Sequence, residues 1–525
     1  MTASFLFYDL ETWGTDPRRS RIAQFAAIRT DAELREIEAP IDLLLRPADD
    51  LLPSPTACMI TGLDPTRLHA VGIAEADAFA RIFEAMAQPQ TCSLGYNSLR
   101  FDDEFVRYGL YRNFFDPYER EWRGGNSRWD LLDVMRLAHA LRPDGLVWPQ
   151  REDGAPSFRL EHLAEANGVR EGMAHEAVSD VRALIGIARL LRQAQPKLWD
   201  YALKLRDKRF AATLLDTIAM QPALHVSQRF PASRMCAAAV LPITRHPQID
   251  SRVVVYDLHE DPEPLLRLSA EEIAARLYVA NEDLPEGERR IPLKEVHLNR
   301  CPMLVDWSHL RPAEFARLGI DPALAEARAA QLRAEGPALA EKLRRVYAAR
   351  APFAAADVDG ALYDGFLADG DRRRFADVRG TPPEALGARD FGFQDPRLPE
   401  LLFRYRARNW PQTLDTDERA RWDEYRRDRL CEARGRSAAH SEHGFAGYRA
   451  EIAALRRERT QDAAALALLD RLEHWGETLA EGLGVDWAGC AGCADGIDQG
   501  SIDQGRIDQS NIEKSSPGGD ASVAA

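Results

Sequence analysis

The chain has 525 residues, 45% hydrophobic and 29% charged, with a formal net charge of −15 and seven cysteines. This length exceeds what one hydrophobic core serves and implies about two to four domains. The acidity argues against a uniformly basic surface that wraps nucleic acid, so a polyanion would have to be met by local patches. No run of about 18 apolar residues and no basic, then apolar N-terminus appears, and sparse cysteines suit a reducing compartment, so a cytoplasmic protein with no membrane segment is expected.

The run Phe5-Leu6-Phe7-Tyr8-Asp9-Leu10-Glu11-Thr12 reads as a first strand. Ile22–Arg29 and Ile41–Leu45 follow as two more strands across short turns, which predicts an antiparallel meander. Glu75–Ala87 carries a helical apolar face, Thr91–Gly95 is a short strand, and Phe101–Gly109 and Leu131–Leu141 are helical. Phe158–Asn167 and Glu176–Gln193 are the clearest helices of this region. Strands first, then helices alternating with strands, describe an α/β domain with a mixed sheet, placed at 1–195.

Beyond Pro196 the character changes. Ala237–Pro242, Arg252–Asp257 and Val296–Leu298 read as strands and Ala270–Leu277 as a helix, giving a small β-rich domain with connecting helices over 196–350. From 351 to 485 the chain is helical, with stretches at Gly365–Arg373, Pro399–Asn409, Thr416–Leu430 and Tyr448–Gly482. Residues 486–525 are glycine-rich and polar, repeat Ile-Asp-Gln imperfectly, and are read as a disordered tail. Its Cys490-Ala-Gly-Cys493 lacks the second pair that a structural zinc site requires.

The acids carry the chemistry. Asp9 and Glu11 are two apart on a strand, so both carboxylates share one face. Like charges on a core strand are costly unless a cation lies between them, and a divalent ion with oxygen ligands suits the pair. A two-metal site needs further carboxylates from other elements and a group that activates water. Asp102 opens a helix just after a strand, and Asp180 sits on the first turns of another among apolar or small neighbours. His175, on the preceding loop, has the intrinsic pKa to take a proton from water. His139 and His162 read as ordinary helical histidines, and Asp103 and Glu104 as favourable first-turn acids.

Asp9-Leu-Glu11-Thr, Asn97-x-x-x-Phe101-Asp102 and His175-x-x-x-x-Asp180 together resemble the three motifs of the DEDDh exonucleases, whose fold is RNase H-like. Longer strings resemble the bacterial exodeoxyribonuclease I family within that class: Phe25–Asp31, Tyr111–Tyr118, Asn126–Met135, Pro156–Leu163 and Leu402–Asn409. The likeness covers about residues 4–430 and 445–480, and the Glu432–Gly444 segment departs from it. It implies an RNase H-like exonuclease domain, an SH3-like domain and a helical domain closing around the strand. It further implies a processive 3′-to-5′ exonuclease that degrades single-stranded DNA to 5′-mononucleotides in DNA repair and recombination. Asp9, Glu11, Asp102 and Asp180 would then hold two Mg²⁺ ions, with Mn²⁺ as a substitute, and His175 would be the general base.

A single strand needs a backbone track and stacking surfaces. The sequence offers Trp122 and Trp129 beside Arg123 and Arg128, then Arg159, then Lys204, Arg206, Lys208 and Arg209, and finally Arg404, Arg406 and Arg408. The expected partner is single-stranded DNA with a free 3′ end, engaged by a monomer held at the nucleoid through the DNA. Contact with a single-stranded DNA-binding protein is left open. Two alternatives stand: a DEDDh exoribonuclease or polymerase-associated editing exonuclease, and a catalytically silent single-stranded DNA-binding scaffold.

Overall fold

The computed structural model describes residues 4–170, 176–277, 279–348, 356–431 and 441–487. Five strands, β1 (Ser4–Thr12), β2 (Ile22–Thr30), β3 (Ile41–Leu44), β4 (Thr91–Gly95) and β5 (Ser127–Asp130), form one mixed sheet in the order β3-β2-β1-β4-β5. The meander predicted for β1 to β3 is antiparallel as expected, while β4 and β5 run parallel to the central β1. Alternation along β1 sorts its side chains between two cores. Leu6, Tyr8 and Leu10 pack with Phe79 and Phe105 from the Glu75–Ala87 and Asp102–Arg112 helices. Phe5 and Phe7 face the other way, into the core shared with the Leu131–Leu141 and Ala177–Ala194 helices.

A second sheet is built from β6 (Ala223–Val226), β7 (Ala237–Arg245), β8 (Arg252–Asp257), β9 (Leu293–His297) and β10 (Met303–Asp306), all antiparallel in the order β10-β6-β7-β8-β9. Pro242 lies in central β7, where it removes a ladder donor, and the register shifts between Pro242 and Thr244 accordingly. One face of this sheet, with Val240, Val253, Val255 and Val296, joins the apolar core of the first domain. The other face, with Leu241, Ile243, Val254 and Tyr256, is covered by the Pro322–Ala334 and Gly336–Ala348 helices. Trp199, on the Pro196–Lys204 helix just past the proline expected to divide the domains, packs edge-on against Trp129 and Phe5.

The last region is helical: Asp369–Gly380, Arg397–Asn409, Thr416–Leu430, Phe445–Glu458 and Ala463–Gly482. Two expectations are corrected here. Residues 365–368 precede the helix instead of opening it, and the run Tyr448–Gly482 is broken where Asp462 caps a new helix by accepting from Ala465 N. Trp487 packs on Phe445 and Tyr448, so ordered structure passes 486; the rest of the tail, with Cys490 and Cys493, lies outside the described residues. The five described cysteines are free and buried, and among the described residues no helix is long and apolar enough to cross a membrane.

Candidate active site

Asp9 and Glu11 continue the Phe5 and Phe7 side of β1, which faces the Ala177–Ala194 helix. That helix packs on β1 and β2 through Val181, Leu184 and Ile185, and this seats Asp180 over the strand. Ligand oxygens of Asp9, Glu11 and Asp180 lie within 4.8 Å of one another. Hard oxygen donors converging in this way are the donor set of a divalent-metal site. Asp102 is only 2% exposed at the first residue of its helix, outside that closest trio. Asp180 also accepts from Arg170 Nη2 at 2.8 Å. His175 lies outside the described residues.

The loop that delivers Asp102 is fixed from beneath. Asn97 sits at φ 64°, a left-handed conformation that asparagine tolerates. Asp130, at the end of β5, accepts from Asn97 N at 2.9 Å, Leu99 N at 3.2 Å and Leu132 N at 3.0 Å. It thus caps the following helix and holds the motif loop at once. Burial and the neighbouring Asp133 push its carboxyl up to about 6, against the pull of Arg100 and these backbone donors. An acid directly before an apolar helical run was the sequence signal for this role, and no role was assigned to Asp130.

Asp103 is buried beside Asp102 and accepts from the Tyr8 hydroxyl at 2.8 Å, Arg120 Nη2 at 2.5 Å and Arg128 Nη1 at 2.7 Å. Burial opposes its ionisation, but Arg120, Arg128 and Arg107 prevail and hold it below the usual carboxylate range. It is an internal tie between helix and strand rather than a helix-dipole acid alone.

The loop after Glu11 is held by the helical region. Glu442 accepts from the backbone N–H groups of Thr15 and Asp16, and Arg429 donates to Arg19 O at 2.8 Å. A Cβ at Gly14 would meet the Glu442 carboxylate, so a side chain there would push that glutamate aside. Part of the Glu432–Gly444 segment, which departs from the family likeness, therefore braces the end of β1.

Comparison with known proteins agrees with this geometry. Family descriptions match along the chain: "Exonuclease" over residues 6–188, "Exonuclease I SH3-like domain" over 206–349 and "Exonuclease I C-terminal domain" over 356–479. The chain is 44% identical over 478 residues to exodeoxyribonuclease I of Escherichia coli K12, covering 91% of this chain and 98% of that one. The chain belongs to the exodeoxyribonuclease I family. It is an exonuclease, a phosphodiester hydrolase. A moderately thermophilic exonuclease I from Methylocaldum szegediense superposes with a TM-score of 0.87 at 46% identity, covering 91% of this chain and 99% of that one. The zinc-bound E. coli enzyme in complex with single-stranded DNA superposes with a TM-score of 0.85 at 43% identity, covering 91% and 100%.

Within this exodeoxyribonuclease I framework, several expected DNA contacts are corrected. Trp129 is 0% exposed and packs on Trp199, so no base can stack on it. Arg128 is buried on Asp103 and Glu121. Arg404 is taken up by Asp357, Asp359 and Glu400, Arg406 by Glu418, and Arg408 by Asp50 and Asp359. Arg408 welds the helical domain to the first domain through Asp50, Arg404 and Arg406 brace the helical domain internally, and none of the three faces solvent. Trp122 is exposed, and Arg123 pairs with Glu119, on a turn whose Gly124 carbonyl accepts from Gln90 N at the entry to β4. That is the sheet end opposite Glu11. Arg206 bonds Ser127 Oγ at the entry to β5, and exposed Lys204, Lys208 and Arg209 share its segment. Arg159 lies at the acid end, since the preceding Phe158 carbonyl accepts from the Tyr96 hydroxyl just past β4.

The sequence reading missed Tyr363 and Phe366, exposed 52% and 96%. The Tyr363 hydroxyl donates to Glu104, two residues from Asp102, so the Tyr363 ring stands near the site, and Phe366 follows three residues on in the chain. His139 and His162 behave as expected of structural histidines. His139 is boxed by Trp148 and Phe158, with burial pulling it down to about 4, and His162 Nδ1 bonds Ser157 Oγ at 2.8 Å.

Proposed function

We propose that this family member hydrolyses single-stranded DNA processively from a free 3′ end to 5′-mononucleotides, as a single chain. Two Mg²⁺ ions would be held by Asp9, Glu11, Asp102 and Asp180, with Mn²⁺ as a substitute. The observation that carries this reading is the convergence of Asp9, Glu11 and Asp180 oxygens within 4.8 Å. Divalent ions in such a set stabilise the attacking and leaving oxygens of an in-line displacement. The chain's own groups do the rest. His175 takes the proton of the attacking water at an imidazole nitrogen. Asp130 and Asp103 fix the helix start that presents Asp102, and Glu442 fixes the loop beyond Glu11. The E. coli relative's complex with single-stranded DNA supports the substrate assignment.

The test uses a 5′-labelled single-stranded DNA oligomer with free or blocked 3′ ends, beside its duplex and RNA counterparts, in Mg²⁺, Mn²⁺ or EDTA. Stepwise shortening from free 3′ ends in either ion, abolished by EDTA, is expected, with duplex and RNA spared. Equal consumption of RNA would overturn the substrate assignment, because discrimination must arise at the 2′ position.

The exposed Phe366 ring offers a stacking surface of the kind single strands use. Phe366→Ala should weaken single-stranded DNA binding by about 1–3 kcal/mol with little change in its salt slope. Fluorescence anisotropy at several salt concentrations measures both, and unchanged affinity would remove Phe366 from the path.

A further inference from the structure

Among the described residues, Glu104 is a point at which all three domains meet. It lies on the first turn of the helix that begins with Asp102. Its Oε1 accepts from Arg300 Nη2 at 3.0 Å, from the turn after β9 in the SH3-like domain. Its Oε2 accepts from the Tyr363 hydroxyl at 2.5 Å, in the helical domain. Arg107, on the same helix, donates through Nη1 to Glu104 Oε1 at 3.1 Å and to the Tyr363 oxygen at 3.0 Å, closing a three-way network. Glu104 itself is largely buried, whereas Arg300 and Tyr363 are open enough to feel a polymer passing over them.

The rest of the architecture isolates this junction. One apolar cluster joins the SH3-like sheet to the first domain, and another joins Tyr108, Tyr111 and Phe114 to the helical domain. Among the described residues no apolar cluster spans the two accessory domains. Their bonded connection through Glu104 is therefore set on the same helical turn as a metal acid.

We infer that Glu104 is a positioning residue that couples the seating of both accessory domains to the place of Asp102, and so to metal affinity. This rests on the proposed role of Asp102 as a metal acid. A turn of helix is stiff, so a shift at Glu104 moves Asp102 with it, and small misplacements of catalytic groups are costly. Supports of metal ligands typically contribute about 10- to 100-fold in affinity. Glu104 acts through the backbone rather than by bonding a ligand, so the expected effect falls at or somewhat below the lower end of that range.

The experiment uses the full chain with Tyr363→Phe, Arg300→Gln and Glu104→Gln. Mn²⁺ binding is followed by paramagnetic resonance without DNA, and cleavage by Mg²⁺ titration on a short oligomer. Each variant should weaken Mn²⁺ binding about 3- to 10-fold and raise the half-saturating Mg²⁺ concentration alike. Adding Tyr363→Phe to Glu104→Gln should weaken binding little further, because both cut one connection. Tyr363→Phe removes one hydroxyl at a half-exposed position and serves as the variant that keeps its fold. Unchanged Mn²⁺ binding in a folded Tyr363→Phe and Arg300→Gln would overturn the coupling and leave Glu104 a domain tether. Asp102→Asn separates this from the underlying reading: if it binds Mn²⁺ and cleaves normally, the metal role of Asp102 itself fails.

Discussion

Asp9→Asn should yield a folded protein that binds single-stranded DNA normally and cleaves it on the order of 10³-fold more slowly. Asp9 sits opposite Ala26 on a strand clasped by β2 and β4, so its carboxylate is the best fixed of the acids. Asparagine preserves shape while removing one anionic ligand, and metal stabilisation of the transition state is worth several kcal/mol at about 1.4 kcal/mol per tenfold. Binding should survive because loss of a negative charge does not oppose contact with a polyanion. Glu11→Gln should cost less, since the β1–β2 register slips between Glu11 and Thr12 and leaves that side chain less rigidly placed. Single-turnover cleavage beside anisotropy binding decides the matter. Turnover within tenfold of the parent would mean that another acid occupies the centre.

The convergence of Asp9, Glu11 and Asp180 was legible in the sequence because each of them broke a local rule. Charges on a core strand and among apolar helical neighbours are costly without a shared cation, whereas an acid at a helix start, as at Asp102, is favourable there and stood out only through its motif. Long elements were legible for the opposite reason. Glu75–Ala87 and Leu131–Leu141 obey helical periodicity, Thr416–Leu430 is a run of charged and helix-forming residues behind the Asp415 cap, and the structure begins and ends all three there. The four-residue strands β5, β6 and β10 escaped because so short a run shows no alternation, and only partners distant in sequence make them strands. The short helices Pro55–Thr61 and Pro65–Val71 also escaped, although Ser54-Pro and Asp64-Pro are cap-and-proline starts.

Arginine was the residue the sequence misplaced most. Arg404, Arg406 and Arg408 interleaved with aromatics look alike whether they face a phosphate or a buried acid. What decides is Asp50 and Asp359, some 358 and 49 residues from Arg408 along the chain. No local pattern carries that information. The same limit hid the junction at Glu104, whose partners Arg300 and Tyr363 arrive from two other domains.

Arg408→Met should therefore destabilise the protein by about 3–5 kcal/mol and leave the salt slope of DNA binding unchanged. Arg408 bonds Asp359 through Nη1 at 2.7 Å and Asp50 through Nη2 at 2.8 Å, with all three side chains at most 3% exposed. Removing the cation leaves two buried carboxylates short of a counter-ion, and Arg404, Arg21 and Arg429 compensate only in part. The pH dependence follows in sign. Burial alone would raise both acids, but Arg408 first, with Arg429 and Arg21 beside Asp50 and Arg404 and Arg21 beside Asp359, holds them below the usual carboxylate range. Depressed carboxyls contribute stability that is fully present above their unfolded value of about 4 and is lost as pH falls below it. In the variant both acids rise, so acid unfolding should begin at higher pH than in the parent. Urea melts across roughly pH 3 to 7, which brackets carboxylate titration, test this directly. A reduced salt slope with unchanged stability would instead return Arg408 to the DNA path. The geometry opposes that result: a guanidinium satisfied by two buried carboxylates has no face left for a phosphate, and the acids it neutralises join the first domain to the helical one.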